Sequence, residues 1–444
     1  MSDIAIGVVC ILGSLFLIQT GMHIGIAMML LSFLGVWAIK GFAIAGKLLA
    51  SSVTTSIASE DFGVIPLFVM MGLFVSVTRM GADTFDVAAH LTRRLLGGLG
   101  IATVAANAVF AACTGTSIAS ASVFTKVAVP EMVRHGHRLP FAVGVVTGSS
   151  VLGMLIPPSL LMIVFGVLAN TSIGDLFTAG ILPGMLLALS FCICIYVLAK
   201  WRPDFVFSKS LADAKDESVQ FASLELIKKM APICVLIAIV LGGIYGGFFT
   251  PTEAGGAGAL AAFLIGVARR EISAKVFWDV ALEAGKVTAA ICFLLMAAQL
   301  YSQMLTMSGL PYAAGQWLQN AQLGFVAVLF GYLIVVLVMG CFLDSLSIML
   351  ILLPFVLPVI QNFGTDLVWF GLITIVAIEI GLLTPPLGMS AFVVKANLGD
   401  AKISTWQIFM GTMPMTITMT IFLLLVVLFP SISLVLLGRS WNWW

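Results

Sequence analysis

Apolar runs near bilayer-spanning length follow one another along most of this chain, and they decide its fold class before any motif is read. A spanning helix needs about 20 predominantly apolar residues. Segments meeting or approaching that length run near 4–21, 24–40, 64–80, 140–168, 176–199, 230–248, 254–268, 286–307, 367–394 and 405–430. In hydrocarbon each backbone donor and acceptor must be satisfied inside the protein, which makes helices the expected element. Composition closes the soluble alternative: 61% of the 444 residues are hydrophobic and 9% charged, against roughly 25% charged in soluble domains. The expected class is an all-α polytopic membrane protein. Its 21 basic residues nearly balance its 20 acidic ones, so no basic surface points to nucleic acid. Residues 1–18 lack a basic leader and a small-residue cleavage site, and read as a first spanning helix rather than a removed signal. Cys10, Cys113, Cys192, Cys194, Cys234, Cys292 and Cys341 lie in apolar stretches and read as small buried hydrophobes.

Two further apolar stretches, 98–130 and 323–361, are too long for one helix and short for two full crossings. Arg93 and Arg94 precede the first, and Arg134 and Arg138 follow it. Positive residues favour the cytoplasmic side, so both ends of this stretch belong there and the segment reads as a re-entrant hairpin. The second stretch is flanked by Gln319, Asn320, Gln322, Gln361, Asn362 and Asp366, with no nearby Lys or Arg, which suits the outer face. The polar region Lys200–Lys229, with Asp204, Lys209, Asp213, Lys215, Asp216, Glu217, Glu225 and Lys228, reads as a cytoplasmic connector. Arg269–Lys275 is a second cytoplasmic patch, and 272–285 reads as an amphipathic segment along the interface.

The two halves match at a constant offset of 228: Gly81 with Gly309, Cys113 with Cys341, Ser117 with Ser345 and Pro130 with Pro358. The register continues without a gap through Gly136 with Gly364, Gly153 with Gly381, Leu155 with Leu383, and Pro157-Pro158 with Pro385-Pro386. The weight lies in the residue types, above all a double proline inside a hydrophobic segment. An offset that joins an inward hairpin to an outward one implies an inverted-topology repeat, an architecture common among secondary transporters. The expected organisation is a first repeat over 1–199 (hairpin 98–130, broken helix 140–168), a connector over 200–229, and a second repeat over 230–444 (hairpin 323–361, broken helix 367–394).

Each double proline removes backbone donors and should break its helix, and the carbonyls so freed must line a cavity or be buried in protein. Freed carbonyls beside the hydroxyls of Ser159 and Thr384 suit a hard cation, although a plain kink would also explain either break alone. The first hairpin tip, Cys113 to Ser122, is rich in hydroxyls; helix amides there could meet an anion, or its small residues could simply pack. The second tip holds Asp344, Ser345 and Ser347. An ionisable residue at membrane depth is a functional candidate: Asp344 as cation ligand or amide acceptor, Glu379 as a functional group or a structural hydrogen-bond partner. Lys126 reads as snorkelling toward the cytoplasm, and Lys395 falls near that face.

Scans for other chemistry are negative. Gly41–Lys47 has the spacing of a phosphate loop, but Leu48 stands where Ser or Thr is needed. His23, His90, His135 and His137 lack metal-ligand companions, and His135 and His137 fit a cytoplasmic loop. No His-Glu-x-x-His or Gly-x-Gly-Asp motif is present, so neither kind of intramembrane protease is indicated.

Residues 152–159 (Leu-Gly-Met-Leu-Ile-Pro-Pro-Ser), continuing through 172–184, resemble the large membrane subunit of the tripartite ATP-independent periplasmic (TRAP) transporters. So do 247–254 (Gly-Phe-Phe-Thr-Pro-Thr-Glu-Ala) and 381–388 (Gly-Leu-Leu-Thr-Pro-Pro-Leu-Gly), and the likeness covers nearly the whole chain apart from the undiagnostic connector. The resemblance implies an elevator-type carrier, not an enzyme, with sodium ions for coupling and no other cofactor. It implies a periplasmic substrate-binding protein, a small membrane subunit of about four helices expected as a separate chain, an organic carboxylate or sulfonate as substrate, and the bacterial inner membrane as location. Carried over by motif, one sodium site would use Thr116, Ser117, Ile156 and Pro158, chiefly through carbonyls, and the other Asp344, Ser345, Thr384, Pro386 and Gly388. Substrate would lie between the tips near Ser117, Ser120, Ser345 and Met389. A stand-alone sodium–organic anion symporter without a binding protein is the rival reading.

Overall fold

Proline pairs stop two helices, the first at the buried pair Pro157-Pro158 and the second at the exposed pair Pro385-Pro386. The computed structural model describes residues 2–58, 61–208, 222–399 and 403–441. Among them there is no β-strand, only an isolated bridge between His137 and Phe207. The first stop follows Leu139–Ser150 and Leu152–Leu155, and the chain resumes as Leu160–Ala169. Ser159 restarts the helix by accepting from the Met162 amide at 3.4 Å while donating to the Met154 carbonyl. The second stop separates Leu367–Leu383 from Met389–Asn397. There Asp366 caps the start through the Val368 and Trp369 amides, at 2.8 and 3.2 Å. Both Pro157-Pro158 and Pro385-Pro386 bonds are cis.

Each broken helix is preceded by a helical hairpin: Gly98–Thr114 with Ser117–Arg134, and Phe325–Gly340 with Ser345–Gln361. Residues 141–155 and 368–383 are buried throughout, which places the broken helices at the centre of the molecule. The outer helices behave differently. Ile173–Trp201 exposes Met185, Leu189, Ile193 and Tyr196 at three- and four-residue spacing, an apolar stripe that suits lipid. Thr405–Leu428 exposes Met413, Ile417, Ile421 and Leu424 in the same way. On its inner side that helix packs backbone against backbone with Leu139–Ser150: a side chain at Gly144 or Gly411 would run into the facing main chain.

Several expectations from the sequence are revised by the structure. Helices Asp3–Gln19 and Ile24–Lys40 are 17 residues each, about 26 Å at 1.5 Å per residue and at the short end for a span. Segments 272–285 and 286–307 are not separate: one helix, Ala274–Ser308, runs 35 residues through both. The polar connector is also shorter than 200–229, because Ile173–Trp201 and Ser223–Tyr245 extend into it at either end. Its central charges Lys209, Asp213, Lys215, Asp216 and Glu217 lie outside the described residues. Cys234 is exposed on a helix surface rather than buried. Three helices of more than ten residues lie outside the expected segments: Phe42–Ala58, Met80–Thr92 and Leu310–Asn320. The first carries Ser51, Ser52, Thr54, Thr55 and Ser56, which break its apolar run without preventing a helix.

Helix Met80–Thr92 fastens the first half to the second. Asp83 pairs with Arg269, Asp86 with Lys229, and Glu271 pairs with Arg269 while accepting from the Arg79 amide. On the same side, the loop of His135 and His137 is pinned by Arg138 N to Val206 O (2.9 Å) and Ser208 N to Gly136 O (2.8 Å).

Candidate functional site

A hairpin tip turns the chain inside protein, so its end amides and carbonyls need partners that a continuous helix would not require. In the first tip Thr116 caps the second arm by accepting from the Ala119 amide at 3.4 Å. Gly115 turns with φ +64, and its carbonyl accepts from the Leu160 amide at 3.1 Å, just beyond the first proline pair. A side chain at Gly115 would meet the Pro158 carbonyl at 2.7 Å, and one at Gly153 would meet the Thr116 carbonyl at 2.6 Å. Tip and break are therefore in direct backbone contact through Gly115, Thr116, Ser117, Gly153 and Pro158, while Ile156 lies against Gly184 of Ile173–Trp201. Helix Asp61–Val77 packs beside them: Phe68 and Met71 line, with Thr116 and Pro158, a cavity of about 10 Å³.

The second tip is built on a carboxylate. Asp344 caps Ser345–Gln361 by accepting from the Ser347 amide at 3.2 Å and from the Ser347 hydroxyl. A side chain at Gly340 would lie 2.6 Å from Gly381, so this hairpin packs closely on the second broken helix, and Tyr332 bonds Thr374 at 3.1 Å. Thr384 donates to the Ile380 carbonyl at 2.7 Å, Pro386 and Met389 are exposed, and Gly388 restarts the helix with φ +49. Among the described residues no hydrogen bond joins Asp344 or Ser345 to Thr384, Pro386 or Gly388. The connection runs instead through Glu379, which is fully buried and accepts from the Ser345 hydroxyl at 3.0 Å.

Ser120 points elsewhere. Its hydroxyl donates to Asn107 at 2.5 Å, and Asn107 donates to Ser149 at 2.6 Å, a wholly buried network joining both hairpin arms to the first broken helix. Asn107 and Ser149 were not singled out by sequence, although a lone amide in an apolar hairpin arm is the kind of signal that marks such a network. Ser122 donates to Asn397 at 3.0 Å, linking the first hairpin to the far side of the second break. Lys126 is exposed, and Lys395 bonds Thr405 at 2.8 Å. Among the described residues no three His, Cys, Asp or Glu side chains converge on a point. The donors the tips and breaks offer are hydroxyls, carbonyls and isolated carboxylates, the set a hard monovalent cation takes. A larger cavity of about 930 Å³ opens between Asn170–Gly174 and Thr250–Glu253.

Comparison with known proteins agrees with this architecture. A family profile described as "Tripartite ATP-independent periplasmic transporter, DctM component" matches residues 11–432. The C4-dicarboxylate TRAP transporter large permease protein DctM of Pseudomonas aeruginosa is 34% identical over 385 residues, covering 85% of this chain and 86% of its own. The sialic acid TRAP transporter large permease protein SiaM of Vibrio cholerae is 29% identical over 429 residues, or 96% and 97% of the two chains. Among solved structures, that of the Alcanivorax borkumensis YdaH transporter superposes with a TM-score of 0.58 at 15% identity, over 91% of this chain and 90% of the other. At that identity the likeness is one of fold alone.

Proposed function

The chain belongs to the DctM component family of the tripartite ATP-independent periplasmic transporters, and from that premise we propose that it carries an organic acid inward across a bacterial inner membrane, driven by a sodium gradient. It is a multi-pass membrane permease and not an enzyme. The convergence of two opposed hairpin tips, each beside a broken helix, is the observation that carries the transport reading. Broken helices expose backbone carbonyls for a cation and helix amides for an anion at the same depth, so both solutes can be held together.

In this reading one sodium ion is held by carbonyls and hydroxyls around Thr116, Ser117, Ile156 and Pro158. A second is held around Asp344, Ser345, Thr384, Pro386 and Gly388. The substrate sits between the tips, near Ser117, Ser345 and Met389. Ser120 belongs to the supporting network, since its proton is already given to Asn107. Filling the cation sites firms the tips and lowers the cost of burying an anion beside them. The hairpins and broken helices then move as one body against the outer helices, an elevator motion in which the outer helices stay fixed.

The relatives named above are permeases for a C4-dicarboxylate and for sialic acid, which supports a carboxylate substrate here. Another relative, an isethionate TRAP transporter permease protein DctMQ of Oleidesulfovibrio alaskensis, is longer: this chain covers 63% of it at 31% identity. We infer that a small membrane subunit and a periplasmic binding protein complete the carrier. Family membership favours this over the stand-alone symporter. Uptake into proteoliposomes holding the chain and its small subunit tests the proposal: it should require both an inward sodium gradient and the binding protein. Equal uptake with the binding protein left out would refute the tripartite reading.

A further inference from the structure

We propose that an acyl chain of an anionic phospholipid occupies the groove between Thr405–Leu428 and the second proline pair, with its headgroup at Lys395. The groove encloses about 260 Å³ and runs from Trp406 through Met410 and Met413 to Ile421, with Leu383 and Pro385 on its other wall. Met413, Ile417 and Ile421 also belong to the apolar stripe that Thr405–Leu428 turns outward. No residue of either hairpin tip lines it, and no charged side chain does.

What the lining lacks decides the occupant. Thr384, Thr416 and Thr420 line the groove, and each hydroxyl gives its proton to its own helix, at the Ile380, Thr412 and Thr416 carbonyls (2.7, 3.3 and 2.8 Å). The Thr384 amide bonds the Gly381 carbonyl at 3.0 Å, and Pro385 has no amide to leave unpaired. An organic anion finds no charge or free hydroxyl proton along these walls, whereas hydrocarbon needs neither. Met410 and Met413 are unbranched and polarizable, and adapt to an irregular chain. From Trp406 to Ile421 the helix rises about 22 Å, and one leaflet holds about 15 Å of hydrocarbon, so the groove is long enough for one chain. At the Trp406 end, Lys395 Nζ donates to Thr405 Oγ1 at 2.8 Å, which fixes its charge beside the groove mouth. An ammonium has three donors, and two remain for a phosphate. Tryptophan and lysine together mark headgroup level. The first break offers no such surface, because Pro157-Pro158 is buried in protein while Pro385-Pro386 is exposed.

Photolabelling reads the site directly. The full chain with its small subunit is placed in phosphatidylcholine nanodiscs carrying phosphatidylglycerol with a diazirine in its tail, and labelled peptides are mapped by mass spectrometry. Label should concentrate on 406–421 above the level on the exposed stripe of Met185, Leu189 and Ile193, the reference for ordinary lipid contact. Met413→Trp fills the groove and should bring 406–421 down to the level of that stripe. Lys395→Gln should cut labelling by phosphatidylglycerol about fivefold, the contribution of one lysine near anionic lipid, and leave labelling by a diazirine phosphatidylcholine unchanged. Equal label on the two stripes of the unmodified protein would overturn the proposal, as would enrichment that survives Met413→Trp. Enrichment equal for the two headgroups would overturn the choice of an anionic lipid.

Discussion

At the scale of single residues the proposed site rests on Ser117 and Asp344, and each has a distinct physical task. Ser117 is a buried hydroxyl at the start of the second arm of the first hairpin, and Asp344 brings a carboxylate that also caps a helix. Ser117→Ala and Asp344→Ala should therefore each cut uptake at least tenfold while yield and size-exclusion profile stay normal; undiminished uptake in both would remove them from the site. Asn107 differs, since its amide serves two neighbours and no solute. Leaving a buried polar partner unpaired costs about 1–3 kcal/mol, so Asn107→Ala should lower the melting temperature, measured by intrinsic fluorescence, along with uptake. His137 supplies a pH signature in the loop between Ser117–Arg134 and Leu139–Ser150. Burial pushes its imidazole down from the ordinary 6.5 to about 4, and its ring packs against Phe141 and Phe207. The unfolded loop then takes up a proton before the folded one, so this corner is most stable above about pH 6.5 and loosens as pH falls toward 4. Amide exchange over 203–208 should rise across that range, and His137→Phe should abolish the dependence.

Close backbone approaches hold the elements together where side chains would keep them apart. The second hairpin meets its broken helix at Gly340 and Gly381, and the first meets its own at Gly115 and Gly153. Gly340→Val should force these helices apart and abolish uptake, with cysteine cross-linking between the hairpin and residues 378–384 lost in parallel. Much of this level was legible in the sequence, because a double proline in an apolar run can hardly be anything but an interruption. The 228-residue offset aligns Ser117 with Ser345 as equivalent positions of the two halves. Helix Phe42–Ala58 was missed because its hydroxyls lower local hydropathy, yet Ser52 and Ser56 face Gln303 and Gln299 on Ala274–Ser308. Packing partners of that kind are set by tertiary contact and leave no local trace. Glu379 was likewise half legible: its burial could be expected, but its bond with Ser345 depends on how the second hairpin crosses its broken helix.

For the whole molecule, the claim that organises everything else is movement of a hairpin-and-broken-helix body against an outer frame, coupled to sodium. The pairs Asp83–Arg269 and Asp86–Lys229 join the two halves of the chain across that fold. The most direct test is uptake of a radiolabelled C4-dicarboxylate or sialic acid into proteoliposomes containing this permease, its small subunit and its binding protein, with sodium outside, inside or absent. Accumulation above equilibrium only with an inward sodium gradient is the expected result. Accumulation that persists without any sodium gradient would contradict the coupling on which the site assignment depends.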